Sequence, residues 1–261
     1  MDRGDRQRAR VSAAITHRWK ASDGVDLAWH ETGKGRAVVL LHGLFSDAGM
    51  NWIKFGHAER IAGEGYRVIM PDLRAHGASA APQEEGAYPH AILVRDLKEL
   101  IAHLRLTEFD LGGFSLGART VVQAVGEGLK PGKAVLAGMG LRGLENWDKR
   151  QAFFLEAIER FDSSIRGDPY WLAIQFMKTM KMDRVAAAHI LRSFGSASPE
   201  WLAAFAMPTL VVCGAEDEDN GSAHELVDAL PNATFAEIPG THMTSVIKPE
   251  LGEAIARFLS A

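Results

Sequence analysis

Cysteine is almost missing from this chain of 261 residues, with Cys213 the single example. An intrachain disulfide and a cysteine-based zinc site are therefore both excluded. Cys213 lies in the apolar run 210–213 and reads as a small buried hydrophobe. Long hydrophobic runs are also lacking, since no stretch approaches the ~18 consecutive apolar residues of a membrane span. Basic charge is not in excess either. The 29 Lys and Arg face 33 Asp and Glu, for a formal net charge of −4, which argues against non-specific nucleic-acid binding. The one basic cluster, Arg3, Arg6, Arg8 and Arg10, is diluted by Asp2 and Asp5, and residues 1–12 read as a solvated, mobile tail. No apolar signal-peptide core precedes His17 and Arg18. The expected location is cytoplasmic, with no membrane partner, as a monomer or small homo-oligomer.

What is present is ordinary globular composition, 47% hydrophobic and 24% charged, which rules out disorder and low complexity. Short apolar runs at 37–41, 66–70, 109–111, 133–137, 209–213 and 234–238 alternate with helical patterns at 58–62, 91–104, 118–126, 223–229 and 249–259. That alternation predicts an α/β fold with a mostly parallel central sheet covered by helices on both faces. Residues 16–20 and 25–30, around Ser22-Asp23-Gly24, predict an antiparallel hairpin at the sheet's edge. Residues 142–200 carry no strand signal and only amphipathic helical patterns, including Phe153, Phe154, Ala157, Ile158 and Phe161 on one face. Asp168-Pro169 reads as a helix start leading into Trp171, Ile174, Met177 and Met180. This segment is expected to be a helical cap inserted into a core formed by residues 1–141 and 201–261.

The sharpest motif is Gly113-Phe114-Ser115-Leu116-Gly117, between a strand and a helix. G-x-S-x-G alone is a weak signal in a chain with 26 glycines, so its context carries the weight. A strand-to-helix elbow holds the serine in a strained conformation with Oγ raised above the sheet, and side chains two positions away would meet neighbouring backbone. A serine nucleophile needs a base. Reactive groups in an open α/β sheet gather beyond the carboxyl ends of the strands, which selects His242, after the last strand, from the 10 histidines. Gly214-Ala215-Glu216-Asp217 delivers an acid to the same edge, with Glu216 and Asp219 as competitors of Asp217. Backbone donors for a developing oxyanion are expected from Leu116, at a helix start, and Leu44, in His42-Gly43-Leu44-Phe45. His42, Asp72 and Arg74 read as loop-fixing groups, and His76 as structural or at the rim of the site.

His42-Gly43, the Asp72–Ser79 stretch, the Ser115 elbow, the turn at 214–217, and Gly240-Thr241-His242 with Pro249-Glu250 together resemble the α/β-hydrolase superfamily. More narrowly, they look like its small capped serine esterases. The resemblance covers nearly the whole chain apart from the Arg-rich start and is loosest in the cap. It implies nucleophile Ser115, base His242, acid Asp217 and oxyanion amides Leu44 and Leu116, in the chain order Ser, Asp, His. A serine at the elbow, rather than an aspartate, argues against the haloalkane dehalogenase and epoxide hydrolase branches. Three departures stand out: Ala118 and Arg119 follow Gly117, Thr241 replaces the glycine usual before the histidine, and Asp217 is followed by Glu218, Asp219 and Asn220.

The expected reaction is hydrolysis of a small to medium carboxylic ester through an acyl-enzyme, with no metal or organic cofactor. Phe45, Phe114, Met139 and Met243 are expected to contact substrate, with cap aromatics above them. So apolar a lining suggests an uncharged or weakly polar ester unless Arg119 or Arg142 reaches the site. Two alternatives use the same triad: a carbon–carbon bond hydrolase of a vinylogous diketone, and a ligand receptor.

Overall fold

The computed structural model describes residues 14–261, so the expected tail at residues 1–12 lies outside the described residues. Eight strands form one sheet: β1 (Ile15–Lys20), β2 (Asp26–Gly33), β3 (Arg36–Leu41), β4 (Tyr66–Asp72), β5 (Phe109–Phe114), β6 (Ala134–Ala137), β7 (Thr209–Gly214) and β8 (Ala233–Ile238). Their order is β1-β2-β4-β3-β5-β6-β7-β8. The β1–β2 and β2–β4 pairs are antiparallel, and all the others are parallel. The edge hairpin and six further strands of the sequence reading are all present, with ends shifted by one to three residues.

Helices cover both faces. They are α1 (His57–Gly63), α2 (Ile92–His103), α3 (Leu116–Gly126), α4 (Leu141–Glu145), α5 (Trp147–Glu159), α6 (Trp171–Thr179), α7 (Arg184–Arg192), α8 (Pro199–Ala203), α9 (Ala223–Ala229), α10 (His242–Ser245) and α11 (Pro249–Ser260). Alternate strand residues serve opposite faces. Val39 and Leu41 of β3 join the core under α2 and α3, and Val38 and Leu40 join the core under α1 and α11. Apart from Arg36 at the start of β3, strands β3, β5 and β7 are buried because both of these cores need their side chains.

Two helices start later than expected, each for a local reason. Ala91 has a positive φ of 59°, so α2 begins at Ile92. Asp168 turns its carboxylate back to accept from the Ile165 N–H at 3.0 Å, and α6 begins only at Trp171. Between β6 and β7 the chain carries α4 to α8 and no strand. Ala157, Ile174, Met177, Met182 and Ala187 form a small separate core there, joined by Phe45 from the loop after β3. No helix among the described residues is long and apolar enough to cross a membrane.

Candidate active site

Parallel β3, β5, β7 and β8 all end at one edge of the sheet, and the loops leaving them carry the reactive groups. Ser115 sits between β5 and α3 with φ 53° and ψ −109°, a left-handed conformation that is strained for a residue with a side chain. The two flanking glycines make this turn possible. A Cβ on Gly113 would lie 2.2 Å from the carbonyl carbon of Gly117, and one on Gly117 would lie 2.3 Å from the Leu41 oxygen.

Ser115 Oγ is 3.0 Å from Nε2 of His242, whose Nδ1 is 2.9 Å from Oδ2 of Asp217. With the proton on Nδ1 donated to the carboxylate, Nε2 is left to accept from the serine hydroxyl. The Asp217 side chain is only 2% exposed, so little water competes for that bond. Thr241, where the resembling family has glycine, caps α10: its Oγ1 accepts from the Thr244 N–H while its own N–H donates to Thr244 Oγ1 at 2.8 Å. His242 therefore starts a capped turn and does not swing on a loose loop. Glu216 and Asp219 are exposed and make no hydrogen bond with His242, whose carboxylate partner is Asp217.

Leu44 and Leu116 both line the cavity above Ser115, and neither backbone N–H finds an acceptor among the described residues. The Leu44 loop is held from below. Asn51 Oδ1 accepts from the Gly43 N–H at 3.0 Å, and His76 Nε2 accepts from the Phe45 N–H at 3.1 Å. His42 receives the Leu73 N–H on Nε2 and donates through Nδ1 to the Gly43 carbonyl; His76 likewise donates to the Arg74 carbonyl. Both rings are fully used as neutral tautomers. Burial pushes the affinity of each for a second proton down, to a pKa of about 3 for His76. Asp72 accepts from His30 and from the Ala48 and Ala78 amides, so it too fixes loops. Arg74 is buried against Asp96 and Asp23.

A cavity of about 450 Å³ opens over Ser115 and His242. Phe45, Met139 and Met243 line it, together with Trp147, Phe153, Phe154, Leu172 and Phe176 from the helical segment. Phe114 does not reach it. That ring is 4% exposed, packs in the core under α1 and α11, and lies 5.0 Å from the His242 ring. Strand alternation sends Phe114 to the opposite face from Ser115's cavity, so it packs against the His242 ring and does not touch the cavity.

The charged lining also departs from expectation. Arg142 is exposed and donates to the Glu218 carbonyl at 3.2 Å, outside the cavity. Arg150, one turn into α5, lines the cavity instead, as does Arg119. Arg119 donates to the Gly143, Leu144 and Gly195 carbonyls and lies 4.5 Å from the Trp147 ring. Burial pulls its pKa down to about 9, with Arg150 adding like-charge repulsion. Burial lowers that of Arg150 as well, opposed in part by Asp219 and Asp217. Asn220, also unforeseen, donates to the Gly138 carbonyl at 2.7 Å and accepts the Gly143 N–H on its own carbonyl, tying the β6, β7 and α4 ends together. Among the described residues, no group of three or more His, Cys, Asp or Glu side chains is arranged to hold a metal ion.

The chain belongs to the alpha/beta hydrolase family, whose model matches residues 38–250. An epoxide hydrolase of Caballeronia sordidicola is 37% identical over 98 residues, 38% of this chain and 29% of that protein. A non-heme haloperoxidase of Rhodococcus erythropolis is 34% identical over 123 residues, 45% of this chain and 42% of the relative. The chain thus spans less than half the length of either relative. Over nearly the full chain, an esterase from Exiguobacterium antarcticum superposes with a TM-score of 0.76 at 19% identity, covering 95% of this chain and 100% of the esterase.

Proposed function

We propose that the protein is a serine hydrolase that cleaves carboxylic esters of small to medium size through a covalent acyl-enzyme. The observation that carries this reading is the unbroken line of hydrogen bonds from Ser115 Oγ through His242 to Asp217. His242 Nε2 takes the hydroxyl proton as Oγ attacks the ester carbonyl, and Asp217 holds the ring's orientation and faces the positive charge that forms. The Leu44 and Leu116 amides stabilise the tetrahedral oxyanion, one such donor being worth about 3 kcal/mol in comparable sites. His242 then returns the proton to the departing alcohol. Water, deprotonated by the same nitrogen, releases the acid and restores Ser115. A serine at the elbow, where epoxide hydrolases of this superfamily use aspartate, separates this reading from the epoxide hydrolase likeness. The helical segment at 142–200 acts as the cap, its aromatics setting the size of the acid or alcohol that fits.

Hydrolysis of p-nitrophenyl acetate, butyrate and octanoate, with Ser115→Ala alongside, tests this reading. The expected result is turnover on the order of 1 s⁻¹ or faster and a loss on the order of 10⁶-fold in kcat for the variant. Loss of less than about tenfold would overturn the assignment of the nucleophile.

A further inference from the structure

The cavity over Ser115 is apolar except for its charges, and those do not balance. Arg119, Arg150 and Lys149 line it against the single carboxylate of Asp219. Neither Arg119 nor Arg150 has a carboxylate oxygen within 4.0 Å among the described residues. Arg119 is occupied by backbone carbonyls. Arg150 is not. Its Nη1 donates to the Asp219 carbonyl at 2.6 Å and its guanidinium lies 5.5 Å from the Phe154 ring. Nε and Nη2 have no acceptor among the described residues and are not sealed from solvent. Those two atoms form one straight edge of the guanidinium, the edge that meets both oxygens of a carboxylate in parallel. Aromatic faces ease the desolvation of a guanidinium but do not neutralise it, and two neighbouring cations without a direct carboxylate partner in a mostly apolar cavity are costly.

We propose that the free edge of Arg150 receives a carboxylate of the substrate, so the ester cleaved at Ser115 carries a free acid group at its other end. This rests on the serine-hydrolase reading above and replaces the uncharged substrate suggested by the amino-acid sequence. A monoester of a short dicarboxylic acid has the required chemistry: the acid seats on Arg150, with Arg119 adding positive potential, and the methylene chain crosses the apolar lining to place the ester at Ser115. Arg150 is then a substrate-binding residue of the helical segment, not a tether for the Asp219 turn alone.

Monomethyl adipate and dimethyl adipate have nearly the same length and differ in charge, so the ratio of their kcat/KM values reads the proposal. The wild type is expected to favour the monoester by about tenfold or more. In Arg150→Gln the ratio should fall by on the order of 10- to 100-fold, the loss of a charge-assisted pair, mainly through KM. Arg150→Lys should recover part of it. A tether-only role would lower both rates and leave the ratio where it was, which would overturn the proposal. Binding of adipate, measured by calorimetry on Ser115→Ala with and without Arg150→Gln, separates this failure from failure of the hydrolase reading. Adipate bound about tenfold more weakly without Arg150 supports the anion site even if both esters are inert. Equal affinity, or no binding to either protein, refutes it.

Discussion

Gly117→Ala adds one methyl group at the point where helix α3 leaves the Ser115 turn, and the consequence can be worked from contacts. The new Cβ would stand 2.3 Å from the Leu41 oxygen, 2.7 Å from the Leu41 carbon and 2.8 Å from the His42 oxygen. All three are backbone atoms at the end of β3, so no side chain can rotate away, and ordinary contact begins near 3.4 Å. The start of α3 must back off by roughly 1 Å, a strain of the kind that costs about 1–3 kcal/mol in packed cores. Alanine's intrinsic advantage over glycine in a helix returns at most about 1 kcal/mol. A net loss of about 1–2 kcal/mol corresponds to a fall in Tm of roughly 2–8 °C for a domain of this size. The catalytic loss should be larger, because the same displacement carries Ser115 and the Leu116 amide away from His242 and the Leu44 loop; a 1 Å misplacement costs on the order of 10²-fold. Thermal unfolding and p-nitrophenyl butyrate hydrolysis would be measured together, with Gly63→Ala as control, since nothing lies within 4 Å of a Cβ built there. If Gly117→Ala keeps the wild-type Tm and rate, the close approach of α3 to β3 is not what shapes the elbow.

Two further outcomes follow from the geometry. Asp217→Asn should lower kcat by about 10⁴-fold, as in other triads, whereas Asp219→Asn should leave the rate within a few fold; the reverse order in steady-state assays would transfer the acid role to Asp219. Burial holds His42 and His76 neutral with pKa values below the ordinary 6.5, so the unfolded chain binds more protons than the native one below about pH 6.5, a window that for His76 extends down to about pH 3. Stability should therefore fall as pH drops through that window, by up to about 1.4 kcal/mol per unit for each ring. Urea midpoints at pH 7 and pH 5 should converge in His76→Asn relative to wild type, and an unchanged gap would remove His76 as a source of the acid sensitivity.

Much of this architecture was legible in the chain because each strand is a short apolar run closed by a turn at one edge of the sheet. Ser115 and His242 could be placed by that punctuation alone, without knowing any contact. Asp217 stood out only as one of three neighbouring acids, since a single residue of loop geometry decides which carboxylate meets His242. Phe114 misled because adjacency to Ser115 in sequence means the opposite face in a strand. Arg150 was invisible for a different reason: its place depends on how α5 is rotated over the cavity, and the helical segment has no sheet to give its faces a fixed register. Arg142, equally basic and equally plausible by position, points away. Asn220 gave no signal beyond lying in a polar run.

Arg119 ties together stretches far apart in the chain, since one guanidinium binds the carbonyls of Gly143 and Leu144 at the start of the helical segment and that of Gly195 near its end. The Ala197 N–H adds a bond to the Leu144 carbonyl at 2.9 Å, and the Trp147 N–H reaches Ser196 Oγ at 3.2 Å. The segment is thus a loop already closed at its neck. For such a loop, doubling the enclosed length adds only about 0.6 kcal/mol of closure entropy. Its contents can be lengthened, shortened or exchanged with little penalty to the sheet, provided the neck stays intact. The side chain that fastens the neck belongs to α3, the helix that begins at the Ser115 turn, so the closure of the helical segment is anchored directly to that turn.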